Sequence, residues 1–160
     1  MTIAVGERVP EVKLTVMTAD GPATRPAPEL LGVGRVVLFA VPGPFTPTCS
    51  ARHLPGFIEL AENILAAGVN RIVCMAVQDI FVMEAWGASS GAGNAIVMAA
   101  DGNGDFTRAL GLELDATAFG LGHRSQRFAM IIEDGVVRHL LVDAPGEFRV
   151  SSAEQILGKL

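Results

Sequence analysis

The chain has 160 residues, half of them hydrophobic and 18% charged, with a formal net charge of −5. That length and apolar content suit a single domain over residues 1–160 with one sizeable core, and they exclude a disordered tail. A weak acidic excess without any Lys/Arg cluster argues against nucleic acid or an anionic membrane as partner. No apolar run approaches the ~18 residues of a membrane span, and Met1–Pro10 lacks the apolar stretch of a signal peptide. Cys49 and Cys74 are the two cysteines of a chain that needs no staple, which points to a reducing, cytoplasmic compartment.

Val12 to Thr18 alternates loosely and reads as a strand. Asp20–Leu30, "DGPATRPAPEL", is turn-rich and reads as a loop or a frayed hairpin. Arg35–Val41 is a short β-branched run stopped by Pro42, hence a buried strand. Leu54, Phe57, Ile58, Ala61, Ile64 and Leu65 then recur at helical steps up to Gly68. Pro55 predicts a kink in that helix, because it removes a donor and crowds the preceding turn. Arg71–Val77 and Ala95–Ala100 read as two further buried strands, separated by a helix that Asp79 can cap and that runs through Trp86. "DGNG" is a turn, and a short helix from Phe106 to Leu110 closes at Gly111. "RFAMIIEDGVVRHLLV" reads as a hairpin turning on Asp134-Gly135. Ser151 with Glu154, or Ser152 with Gln155, opens a last helix through a capping box. Strands and helices that alternate, then a terminal hairpin, predict an α/β fold: a central mixed β-sheet with helices on both faces, in the order of a thioredoxin-like core.

The stretch "VPGPFTPTCS", Val41 to Ser50, crowds three prolines and two threonines around one thiol. Thr46 is a preferred N-cap residue, and Pro47 suits the first helical position, where its missing N–H costs nothing. Cys49 then falls in the first turn, where a capping box would place an acid. Backbone N–H groups and the helix dipole favour an anion there, so the position suits a thiolate. Pro42 ends the strand, and Pro44 and Pro47 stiffen the approach. A rigid loop of this kind can hold the sulfur, the Thr46 hydroxyl and exposed N–H groups as one constellation for a small substrate with two oxygens.

At these residues the chain resembles the peroxiredoxin family. Pro42-x-x-x-Thr46-x-x-Cys49 matches the family's active-site pattern, and "VPGPFTPTCSARHLPGF" looks like its type II (atypical, peroxiredoxin-5-like) branch. The likeness continues through "VCMAVQDIFVMEAWG", "LGLELD" and "RFAMIIEDG", and covers nearly the whole chain. It implies a thiol-dependent peroxidase for hydrogen peroxide and organic hydroperoxides, with no cofactor and no metal. Cys49 would be the peroxidatic nucleophile that becomes a sulfenic acid. Thr46 would hydrogen-bond the peroxide, Pro42 would shield the sulfur from bulk water, and Arg127 would hold the thiolate and the peroxide from the far strand. Gly43, Pro44 and Phe45 would border the substrate pocket, and Phe45 would cover it or join a homodimer contact near this loop. By spacing alone Arg52, one helical turn beyond Cys49, is a better guess than Arg127 or Arg124. Pro44 stands where the branch commonly has Ala, and Gln78 where it has Asn.

The resemblance also frames the recycling step. One group of the branch has a resolving cysteine near the C-terminus, where this chain reads "RVSSAEQIL". Cys74 is the one internal candidate to resolve the sulfenic acid, but it sits mid-strand among Ile72, Val73, Met75 and Val77, as a small buried hydrophobe would. The simpler reading is an external thiol: glutathione, with or without glutaredoxin, or thioredoxin. His53 stands four residues after Cys49 and reads as packed or solvated rather than as a Cys–His pair; His53, His123 and His139 have no metal-ligand spacing. Gly32-x-Gly34 lacks the third glycine of a nucleotide loop and precedes a strand. Met83 and Trp86 read as core or interface. A redox sensor passing oxidation to a protein partner would carry the same motif and is the alternative.

Overall fold

The computed structural model describes residues 1–160. The β-branched runs form the expected buried strands. In chain order these are β1 (Lys13–Thr18), β2 (Gly21–Pro26), α1 (Ala27–Leu31) and β3 (Arg35–Ala40). After β3 a π-helical turn (Cys49–His53) leads into α2 (Leu54–Ala66), followed by β4 (Arg71–Ala76), α3 (Ile80–Ser90) and β5 (Val97–Ala100). The chain continues with α4 (Asp105–Leu110), β6 (Glu113–Asp115), a single 3-10 turn (Thr117–Phe119) and β7 (His123–Ser125). It ends with β8 (Phe128–Glu133), β9 (Val136–Val142) and α5 (Ala153–Leu157).

Seven strands make one mixed sheet in the order β2-β1-β5-β4-β3-β8-β9. β3, β4 and β5 run parallel, and β8 pairs antiparallel to β3. β3 is buried on both faces, as its near-continuous apolar run requires. Val37, Phe39 and Val41 point into one core with Leu54, Phe57, Ile64, Trp86 and Ile156. Val36, Leu38 and Ala40 point into a second core with Leu31, Phe106 and Leu110. Alternation along one strand thus supplies both layers, and helices cover both faces as expected.

Local signals account for most boundaries. Asp134 (φ 48°) and Gly135 (φ 82°) form the two-residue turn between β8 and β9, both left-handed as a type I′ turn requires. Asp20–Leu30 resolves as the second strand of a hairpin followed by α1, because the prolines close β2 rather than prevent it. The Asp79 carboxylate accepts from the Val82 N–H at 2.9 Å and caps α3, which runs to Ser90, beyond the expected Trp86. Gly91 in the left-handed region stops it there. Of the two candidate caps for α5, Ser152 is used: its hydroxyl accepts from the Gln155 N–H at 3.3 Å. The small β6–β7 sheet has no signature in the sequence, because three-residue strands carry no visible period.

The Asp79 cap gives a first expected outcome. Asp79→Ala should lower stability by about 1 kcal/mol, read as a lower urea midpoint at unchanged m-value. An unmoved midpoint would mean that the Val82 N–H is satisfied without the carboxylate.

Candidate active site

The loop after β3 carries Cys49 to the end of the sheet. The Ser50 N–H donates to the Thr46 carbonyl at 2.9 Å, and Pro47 and Thr48 are already helical. Thr46 therefore occupies the cap position and Pro47 the first helical position. The Thr46 side chain does not cap, however. Its hydroxyl donates backwards to the Gly43 carbonyl at 2.6 Å and ties down the loop. Cys49 begins the π-helical turn, whose closing bond runs from the Leu54 N–H to the Cys49 carbonyl. The irregularity expected at Pro55 takes this form: a widened turn just ahead of the residue that has no N–H to give. Next to Cys49, the Ser50 hydroxyl accepts from the buried Trp86 indole N–H at 3.0 Å, which pins the turn to α3.

The antiparallel register pairs Ala40 with Phe128. Arg127, one residue before β8, therefore stands beside the loop that leaves β3. Its Nη2 donates to the Cys49 sulfur at 3.1 Å, and its Nη1 donates to His53 Nδ1 at 2.9 Å. Arg52, favoured by spacing, instead lies over the Phe148 ring at 4.8 Å, and Arg124 donates to the Leu121 carbonyl at 2.8 Å. Helical spacing favoured the wrong arginine because the sulfur faces the sheet, not the exposed side of its own helix.

His53 is fully buried, and it is the residue whose part the sequence concealed. Its Nε2–H donates to the Ser151 carbonyl at 2.9 Å, so Nδ1 is left as the acceptor for Arg127. Burial, and then the Arg127 charge, push its pKa down to about 3, against the opposing pull of the Ser151 carbonyl and Asp143. A neutral imidazole is thus built in. Ser151 is held in turn by Asp143, at the end of β9. The Asp143 carboxylate accepts from the N–H groups of Arg149 (2.7 Å), Val150 (2.9 Å) and Ser151 (3.2 Å), and from the Ser151 hydroxyl. Burial raises the Asp143 carboxyl, but the Ser151 hydroxyl and these three N–H groups outweigh it and hold it below the usual carboxylate range. Asp143 also donates its own N–H to the Arg127 carbonyl at 2.9 Å. The chain of contacts from Asp143 through Ser151, His53 and Arg127 ends on the sulfur. The sequence signals for it were the family pattern at Arg127 and the four-residue step from Cys49 to His53.

Cys49 is 0% exposed. A cavity of about 230 Å³ is lined by Pro42, Thr48, Arg127, Leu114, Phe119 and Pro145; Cys49 and Thr46 are not among its lining residues, and Arg127, which donates to the sulfur, joins the two. Gly43, Pro44 and Phe45 do not line it. Gly43 and Pro44 are buried within the loop, and Phe45, with φ 63°, turns its ring toward Trp86 at 6.5 Å and is 56% exposed. Cys74 is buried on β4 opposite Phe39, in the same core as Cys49, and both thiols are free. Burial first, and Cys49 second, push the Cys74 thiol well up, so it stays protonated.

A Redoxin family model matches residues 4–157. Among curated relatives, peroxiredoxin-2B of Arabidopsis thaliana is 45% identical, over 99% of this chain and 98% of its own length. Peroxiredoxin-2E-2 of Oryza sativa subsp. japonica, a chloroplastic protein, is 49% identical over 99% of this chain and 73% of its own. The chain belongs to the peroxiredoxin family, in its type II branch. Membership at this identity makes it a thiol peroxidase. Among solved structures, reduced Prx3 of Vibrio vulnificus in complex with hydrogen peroxide is 51% identical with a TM-score of 0.95, covering 99% of each chain. A structure described as a putative thioredoxin reductase from Burkholderia cenocepacia is 44% identical with a TM-score of 0.97, covering 100% of this chain and 99% of that one. These neighbours give this peroxiredoxin its thioredoxin-like fold class.

The buried imidazole has a measurable consequence. His53 titrates near 6.5 when unfolded and near 3 when folded, so above pH 6.5 its contribution to stability is complete. Between those values the unfolded chain binds a proton that the folded chain refuses, and stability falls as pH falls. The slope from this one group approaches about 1.4 kcal/mol per pH unit. Chemical denaturation from pH 7 to pH 4 should show it, and His53→Leu should show a flatter profile. An identical slope in the variant would mean that other groups carry the acid sensitivity.

Proposed function

We propose that this peroxiredoxin reduces hydrogen peroxide and small organic hydroperoxides through Cys49 and is recycled by an external thiol. The contact of Arg127 Nη2 with the Cys49 sulfur at 3.1 Å carries the reading, since a fixed guanidinium on a buried sulfur favours the anionic nucleophile. The Cys49 thiolate attacks the terminal peroxide oxygen. An S–O bond forms, the O–O bond breaks, and the sulfur is oxidised by two electrons to a sulfenic acid. The departing alkoxide, or hydroxide, takes up a proton and leaves as alcohol or water. Thr46 has already given its hydroxyl proton to the Gly43 carbonyl, so its oxygen remains an acceptor for the peroxide O–H. Arg127 faces both the sulfur and the cavity and can stabilise negative charge on the breaking O–O bond. Pro42, which lines the cavity, keeps bulk water from the sulfur.

Recycling uses two external thiols. The first displaces the sulfenic oxygen as water and leaves a mixed disulfide; the second restores the Cys49 thiol and leaves as a disulfide. Glutathione with glutaredoxin, or thioredoxin, fits this role. The protonated, buried state of Cys74 supports an external resolver over an internal one. A homodimer formed beside the active-site loop is the assembly we favour, supported by the exposed Phe45 ring; the cytoplasm is the compartment we favour, on the absence of staples from a two-cysteine chain.

Cys49→Ser should abolish peroxide consumption. Cys74→Ser should retain most of it when glutathione and glutaredoxin are supplied. Loss of turnover in both variants would show that Cys74 resolves the sulfenic acid.

A further inference from the structure

The cavity that Arg127 joins to Cys49 carries a charge pattern that the peroxidase reaction itself does not need. It is apolar at Leu114, Phe119 and Pro145, but its lining also holds three carboxylates, the exposed Asp115 and Glu147 and the buried Asp143, against one cation, Arg127. The Arg127 charge is already committed to the Cys49 sulfur and to His53. Asp115 is fixed by the Thr117 hydroxyl at 2.7 Å and the Thr117 N–H at 3.0 Å, and these bonds hold its carboxyl below the usual range, so it is ionised at neutral pH. His123 is its partner across the β6–β7 pair. Glu147 meets Arg149 at 3.5 Å, but that arginine side chain is 77% exposed and the pair is loosely screened. At about 230 Å³ the cavity lies below the ~300–1,000 Å³ of drug-sized pockets, so it suits one short alkyl or aryl group.

Resting on the peroxidase reading above, we propose that Asp115 and Glu147 make this cavity a charge filter: it accepts short, uncharged alkyl or aryl hydroperoxides and rejects hydroperoxides that bear a carboxylate. The apolar walls take the tail of either kind. A carboxylate on that tail is brought up against the like charges of Asp115 and Glu147, which stand exposed at the cavity's edge, so the repulsion acts through solvent and depends on salt. The chemistry at Cys49 is the same for both, so the discrimination lies in how well each reaches the sulfur.

The probes are cumene hydroperoxide and its para-carboxylate, which share one scaffold and differ by the added carboxylate. Stopped-flow mixing with the reduced protein gives the second-order rate of Cys49 oxidation, and the buried Trp86, hydrogen-bonded beside Cys49, serves as the fluorescent reporter. The neutral probe should react faster. Removing each rim charge should lower the neutral-to-anionic ratio about threefold, so Asp115→Asn with Glu147→Gln should lower it roughly tenfold. Raising ionic strength from about 0.01 M to about 0.15 M shortens the screening length from roughly 30 Å to about 8 Å and should lower the wild-type ratio as well. This salt arm stands even if the double variant folds poorly. A ratio at or below one, or one indifferent to both the variant and salt, overturns the filter while leaving the peroxidase intact. Failure of both probes and of hydrogen peroxide to oxidise Cys49 overturns the peroxidase reading itself, and the filter with it.

Discussion

The contact between the Arg127 guanidinium and the Cys49 sulfur is the constraint around which this molecule is arranged. Burial keeps the Cys74 thiol protonated in the same core. Cys49 differs in having a fixed cation on its sulfur and the first turn of a helix beneath it. The cation is there because β3 and β8 pair antiparallel with Ala40 opposite Phe128. The sheet register therefore sets the chemistry: shifting it by one residue would turn Arg127 to the other face and leave the sulfur without a partner.

Arginine side chains have many rotamers, and fixing one needs partners. Here the second Nη group of Arg127 is held by a histidine that burial keeps neutral, and that histidine is held by a carbonyl from the segment before α5. A charged His53 would repel Arg127 and could not accept from it, so the arrangement demands the neutral ring. Asp143 closes the path by gathering the N–H groups of residues 149–151 and bonding the Arg127 backbone. The ends of β8 and β9 and the segment before α5 thus converge on one guanidinium. The Phe148 ring packs on His53 at 5.0 Å and completes the dry side of this cluster.

Much of this was legible in the residues, and the limits have physical causes. β3, β4 and the β8–β9 hairpin announce themselves because strands buried on both faces need unbroken apolar runs and because Asp-Gly suits a type I′ turn. Cys49 stood out through the prolines and threonines around it. The family pattern named Arg127, while helical spacing alone pointed to Arg52. Thr46 looked like a side-chain cap, yet its hydroxyl has a nearer acceptor in the Gly43 carbonyl, and no sequence rule ranks those two bonds. Pro55 predicted a kink, whereas it stands in the first turn of α2, directly after the π-helical turn at Cys49–His53. His53, Ser151 and Asp143 were invisible as a group because long-range pairing, not spacing, unites them. The same holds for the cavity: its walls come from β6, the 3-10 turn and the loop after β9, not from Gly43, Pro44 and Phe45.

If His53 acts on Cys49 through Arg127, the two residues must be energetically coupled. The direct measurement is a double-mutant cycle on the rate of Cys49 oxidation by hydrogen peroxide, using His53→Leu, Arg127→Gln and the two combined. The account predicts that His53→Leu slows oxidation on its own, and that adding it to Arg127→Gln costs nothing further. Losses that simply multiply would contradict it, placing His53 in the general packing of the core and leaving Arg127 positioned by other means.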